Sequence, residues 1–230
     1  MGAILRAELH DRDGWPVLWW APTTPVLTVS SSVVGGGLGV RHWVCNASVA
    51  DDWDGVDELG VVAASAGGRD AGRDGCGLLT AADVRHAAWA EADGAECLGT
   101  VGLGWPTWAA VPHGHDDAPP PRRADTVNLL VWVPVPLSQA ALVNAACTVT
   151  EAKTQALVEL GVPGTGTATD AVVVCCPVPG AGRPDPEPYG GPRSRWGARL
   201  ARAVHAAVRH GALDDHRRAT AAGYHRAWTP

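Results

Sequence analysis

SQAALVNAACTVTEAKTQALVEL, residues 138–160, is the stretch on which the reading of this chain turns. It contains neither proline nor glycine, opens on Ser138 in the N-cap position and stops just before Gly161, so it is predicted to be one long helix. At about 100° per residue, Leu142, Ala146, Val149, Ala156, Leu157 and Leu160 fall on one side, and Asn144, Thr148, Glu151, Gln155 and Glu159 on the other. Lys153 belongs to the apolar side and is the only lysine among 18 basic residues. An ammonium on such a face either snorkels outward along its stem or points into a desolvated cleft, and only the second makes it a catalyst.

Working outward, the segments before this helix read as short strands separated by turns: residues 3–10, 17–21, 26–31 and 39–49, then 87–104 with a break near Gly94, and 125–134. Residues 57–66 fit a short helix, and GGRDAGRDG (67–75) a polar loop. After the long helix come the loop GTGTATD (164–170), the strand AVVVCC and a final helix over 196–209, with a flexible tail expected from about residue 211. Strands first and long helices later indicate α+β: a β-rich N-terminal half whose mixed sheet or sheets are covered by two long C-terminal helices. Residues 1–230 are read as a single domain, and 46% apolar residues suffice for its core.

Composition narrows the partners. A net charge of −6 with scattered arginines gives no footprint for nucleic acid or an anionic membrane, and no segment reaches the ~18 apolar residues of a span. A small-molecule substrate and a cytoplasmic location are expected; nothing in the sequence speaks to oligomeric state. The six cysteines form no CxxC pair, so neither a zinc site nor a disulfide framework is indicated. HGHDD (113–117) has metal-ligand chemistry, but in a proline-rich loop it is read as solvated polar surface, and no metal is expected. Phe is absent, so the eleven Trp are read as volume fillers.

Two segments carry candidate chemistry beside Lys153. GTGTATD runs from helix to strand, the reverse of a phosphate-binding loop; it either exposes Thr165, Thr167, Thr169 and Asp170 at the mouth of a site or is a plain connection with Asp170 capping local amides. SSSVVGGGLG (30–39) puts the hydroxyls of Ser30 and Ser31 at a strand end before Gly36 and Gly37, which suits a nucleophile beside a close-lying ligand, and equally a wide hairpin. Neither G-x-S-x-G nor HExxH occurs.

The pair TEAKTQALVELGV (150–162) and GTGTATDAVVV (164–174) resembles the adenosylcobinamide amidohydrolase family of corrinoid salvage. In the same order, SSSVVGGGLG with Asn46 after it, LLTAADV (78–84), DTVNLLVWVPVPLSQAALVNA (125–145) with Asn128, and YGGPRSRWG (189–197) resemble further family segments. The chain departs at GWPTWA (104–109), where the family pattern has serine–asparagine–alanine, and at Val34, where it has asparagine.

The resemblance implies hydrolysis of the aminopropanol amide of adenosylcobinamide to adenosylcobyric acid and 1-aminopropan-2-ol, in cobinamide salvage for cobalamin biosynthesis. No cofactor is implied, the cobalt being part of the corrinoid substrate. Lys153 is then the expected base, with Ser30, Ser31 or Thr154 as nucleophile or water-holder and amides of the 164–170 loop as oxyanion donors. Glu151, about 160° round the helix from Lys153, is expected to bind substrate or a neighbouring segment. Gly36, Gly37, Asn46, Asn128, Thr165, Thr167, Thr169 and Asp170 are the expected substrate-binding positions. Two alternatives stay open: a non-catalytic corrinoid-binding module, and a threonine- or serine-dependent amidase or acyltransferase on another substrate.

Overall fold

In the computed structural model, residues 4–50, 53, 55–67, 69, 74–110 and 125–230 are described; HGHDD and most of GGRDAGRDG lie outside them. Among the described residues, ten strands form two mixed sheets. The strands are β1 (Glu8–Arg12), β2 (Trp15–Trp20), β3 (Val26–Ser30), β4 (Gly37–Arg41), β5 (Trp43–Ser48), β6 (Gly75–Thr80), β7 (Ala88–Ala92), β8 (Ala95–Val101), β9 (Val127–Trp132) and β10 (Ala171–Pro177). The helices are α1 (Glu58–Ser65), α2 (Gln139–Glu159) and α3 (Arg195–Ala221).

The smaller sheet has the order β1-β2-β5-β6 and the larger β4-β3-β10-β9-β8-β7, each with one parallel pair, β5 with β6 and β9 with β10. Strand alternation sends each sheet's two faces into different cores. On β10, Val173 and Cys175 meet Trp20, Val44 and Leu78 of the small sheet, while Val174 and Cys176 join Leu142, Val149, Leu157, Leu200 and Val204 of α2 and α3. On the far side of the small sheet, Val17, Trp43 and Ala47 pack with Val62 of α1. The result is four layers, helix–sheet–sheet–helices, with α2 and α3 on one face of the large sheet.

Four expectations need correction. Residues 39–49 are two strands, not one: the chain changes sheet at His42, whose amide donates to the Asp74 carbonyl at 2.8 Å. β6 was not anticipated, because GCGLLT is short and borders a polar loop; it is a strand because both its faces are covered. Thr148, placed on the polar face of α2, is 1% exposed, since its hydroxyl donates to the Gly190 carbonyl at 3.0 Å where that segment crosses the helix. The last helix does not stop at Arg209 but continues to Ala221, with Ala212, Asp215 and Ala219 buried. Beyond it, Arg226 pairs with Asp215 at 2.7 Å and Trp228 is buried. Burial pushes the Asp215 carboxyl above its usual range, against the pull of Arg226 and Arg218.

α2 is otherwise as read: Ser138 accepts from the Ala141 amide at 3.1 Å, and Gly161 turns the chain out with φ 74°. All six cysteines are free thiols. Burial raises Cys45 to about 12 and Cys176 to about 11, and pushes Cys97 and Cys175 up as well, whereas Cys147 is exposed. A thiol-specific chromogenic reagent at pH 8 should therefore titrate one thiol rapidly in the native protein and all six after denaturation. Several fast thiols would contradict this core.

Candidate active site

The larger sheet brings the end of β3, the start of β9 and the start of β10 to one edge. Ser30 lies opposite Val173, and Asn128 opposite Ala171. α2 crosses the helix-side face there, and the loop 164–170 joins the end of α2 to β10.

Lys153 points inward from α2 and donates to Asp170 Oδ2; the two side chains are only 8% and 13% exposed. Asp170 also accepts from the Thr167 amide at 3.1 Å, the Thr167 hydroxyl and the Val127 amide at 3.0 Å. One carboxylate thus holds the lysine, its own loop and the start of β9 together. Asp170 caps a local amide and faces the buried lysine, and of the four polar residues of this loop only Thr169 is exposed. The pairing compensates a charge that would otherwise cost several kcal/mol to bury.

The loop is fixed from three further directions. Thr154 donates its hydroxyl to the Thr165 carbonyl at 3.1 Å. The backbone of Thr107 exchanges hydrogen bonds with Gly166 and Thr165, both at 2.8 Å, and the Ala109 amide donates to the Thr165 hydroxyl at 3.0 Å. Thr169 shares a 2.7 Å hydroxyl contact with Thr126. A side chain at Gly166 would overlap both Asp170 Oδ2 and Lys153 Nζ, and one at Gly164 the backbone of Thr107. These close approaches explain the glycine–threonine alternation: glycine admits the neighbours and threonine anchors to them. The loop amides of Thr165 and Thr167 are engaged.

The serines differ. Ser30 donates its hydroxyl to Ser32 Oγ and accepts from the Ser32 amide, both at 2.9 Å. Ser31 is exposed, and its oxygen accepts from the Val172 amide at 3.0 Å, two residues along β10 from Asp170. That places the Ser31 hydroxyl at the same sheet edge as the lysine. Gly36 and Gly37 are exposed beyond it. Gly35, with φ 67°, approaches Gly75 so closely that a Cβ would strike its carbonyl, so this glycine run is also a joint between the two sheets.

The remaining candidates lie elsewhere. Glu151 is exposed on the opposite side of α2 from the buried Lys153, as its position predicted. Asn46 and Asn128 do come together: the Asn128 amide group donates to Asn46 Oδ1 at 3.0 Å and to the Leu79 carbonyl at 2.9 Å, and Asn46 donates to Thr100 at 2.9 Å. They occupy the space between the sheets, at 9% and 1% exposure, on the face of β9 and β10 opposite Lys153. A cavity of about 20 Å³ adjoins them, room for one water. As the sheet stands, that pair does not share a surface with Lys153. The partner that sequence reasoning missed for Lys153 is Asp170, which had been assigned to substrate. Its spacing of 17 residues, across a glycine-rich turn, carried no periodic signal. Among the described residues no group of His, Cys, Asp and Glu is arranged to hold a metal, and no helix is long and apolar enough to cross a membrane.

A clamped inward lysine under a tightly anchored loop, at the same end of the sheet as an exposed serine, is machinery suited to acyl chemistry, and the chain is an amidohydrolase. The sequence profile of the adenosylcobinamide amidohydrolase family matches residues 2–220. An adenosylcobinamide amidohydrolase from Halobacterium salinarum (strain ATCC 700922 / JCM 11081 / NRC-1) is 36% identical over 169 residues, 70% of either chain. The chain belongs to this family. Among solved structures there is a likeness to the L-aminopeptidase D-Ala-esterase/amidase of Ochrobactrum anthropi, described as a variant of the Ntn hydrolase fold. It covers 90% of this chain and 82% of that one, at 14% identity and a TM-score of 0.41.

Proposed function

We propose that the chain hydrolyses the amide joining the aminopropanol arm of adenosylcobinamide to the corrin ring, giving adenosylcobyric acid and 1-aminopropan-2-ol for cobinamide salvage. The observation that carries this reading is the Lys153–Asp170 pair, buried at the sheet edge of a chain that belongs to this family. Unaided amide hydrolysis is slow, so the site must supply a nucleophile, a proton carrier and donors for the tetrahedral oxyanion.

In this reading the Ser31 hydroxyl, or a water held there, attacks the amide carbonyl carbon. Lys153 passes a proton to Asp170 Oδ2 as its Nζ takes the one the nucleophile loses, and the couple reverses this transfer to protonate the nitrogen of the departing aminopropanol. If Ser31 attacks, water then cleaves the resulting ester by the same route. Lys153 carries the proton, Asp170 fixes its position and Thr154 holds the loop. Amides of the 164–170 loop that are not already engaged face the oxyanion. A cytoplasmic location is part of the same reading and accords with six free cysteines.

The test is to incubate the purified protein with adenosylcobinamide, without added metal or nucleotide, and follow both products by mass spectrometry. Stoichiometric appearance of the acid and the amino alcohol is expected. Tight binding without products would instead mark a corrinoid-binding module, and neither binding nor products would overturn the substrate.

A further inference from the structure

Tryptophan serves two purposes in this chain. Trp19, Trp20, Trp43, Trp132, Trp196 and Trp228 are between 3% and 7% exposed and fill the cores. Trp105 and Trp108 are 52% and 53% exposed, more than any other tryptophan, and stand three residues apart on one short segment. Tryptophan is mostly buried in folded proteins, so two exposed indoles so close together call for an occupant.

Their position says which. Thr107, between them, is hydrogen-bonded to Gly166 and Thr165, and Gly166 lies directly over Lys153 and Asp170. Pro106 fixes a further backbone dihedral of the segment, and Ala109 is tied to Thr165. The indoles are therefore carried on a stiff segment anchored to the roof of the catalytic pair. Trp105 also forms one wall of a surface cavity of about 470 Å³, with Arg218, Tyr224 and Arg226 among its other walls. A rigid aromatic surface next to a polar cavity, lined by Asp125 and Asp215 as well as by the ion-paired Arg218 and Arg226, suits a large flat ring fringed with amides, which both donate and accept.

We propose that Trp105 and Trp108 form the platform on which the face of the corrin macrocycle rests while its aminopropanol amide reaches Lys153. The proposal rests on the function proposed above. The platform holds substrate and transition state alike, so it acts on binding rather than on the chemical step.

The experiment compares Trp105→Ala, Trp108→Ala and the corresponding Phe variants with the wild type, measuring kcat and KM for adenosylcobinamide. Equilibrium dialysis against cobinamide and sedimentation velocity complete the set. Each Ala variant should raise KM and the cobinamide Kd about ten-fold, with kcat changed no more than about two-fold, and Phe should recover most of the loss. Unchanged KM and Kd in both Ala variants of an active enzyme overturn the platform alone. So does a loss of self-association in those variants at constant KM, which would make the indoles an oligomer contact. A parallel fall of kcat and thermal stability not rescued by Phe also overturns it, by making the indoles structural. A wild type that neither binds nor turns over adenosylcobinamide overturns the proposed function, and the platform with it.

Discussion

Replacing Lys153 with methionine should lower kcat about 10³-fold, the scale set by loss of a proton-transfer group or an oxyanion donor. The structure adds a cost that helix periodicity alone did not suggest. Removing the ammonium leaves Asp170 nearly buried without its cation, which should destabilise the fold by about 3 kcal/mol. The carboxylate keeps the Val127 and Thr167 donors, so the chain should still fold and be comparable with wild type by circular dichroism below its lowered Tm. Asp170→Asn preserves the lysine and the side-chain shape, and should lower kcat less. The double variant should be more stable than the sum of the two single losses predicts, by about 1–3 kcal/mol, because the residues act as one unit. Full turnover by Lys153→Met would remove the lysine from the mechanism. Strict additivity would show that the pair is not coupled.

Gly166→Ala should also be damaging, without removing any functional group. The added methyl overlaps both members of the Lys153–Asp170 pair, while Thr107 and Thr154 hold the loop from the other sides. A displaced roof either separates the pair or breaks the Thr107 hydrogen bonds. We expect a kcat loss of about 10²-fold, since a displacement near 1 Å is enough to produce one, and a stability loss of about 2 kcal/mol from overpacking. Gly180→Ala, where no atom lies within 4 Å of the added group, is the matched control and should behave as wild type. Kinetics and thermal melts of the two variants side by side check this. An unimpaired Gly166→Ala enzyme would mean that the 164–170 loop does not constrain the pair.

Much of the helical part was legible because its signals are local. Ser138, Gly161 and the 3.6-residue pattern delimit α2 to within a residue at each end and turn Lys153 inward, and all of this lies within one segment. The α+β class followed from the order of strands and helices, and the family from segments spread along the chain. The strands were less legible. The break at His42 depends on which sheet each half joins, and β6 is short, glycine-containing and next to a polar loop.

The site divides in the same way. That Lys153 is buried is a property of its own helix, written in residues three and four apart. That its partner is Asp170, that Ser31 rather than Ser30 presents an exposed hydroxyl at that edge, and that Asn46 and Asn128 meet between the sheets all depend on strand register and layer packing. Asn46 and Asn128 are 82 residues apart, and a slip of one residue in β9 would turn Asn128 toward the helices. Hydrophobic periodicity fixes which face of an element is buried. Only the packed sheets decide which buried groups meet, because that choice rests on contacts between segments distant in the chain.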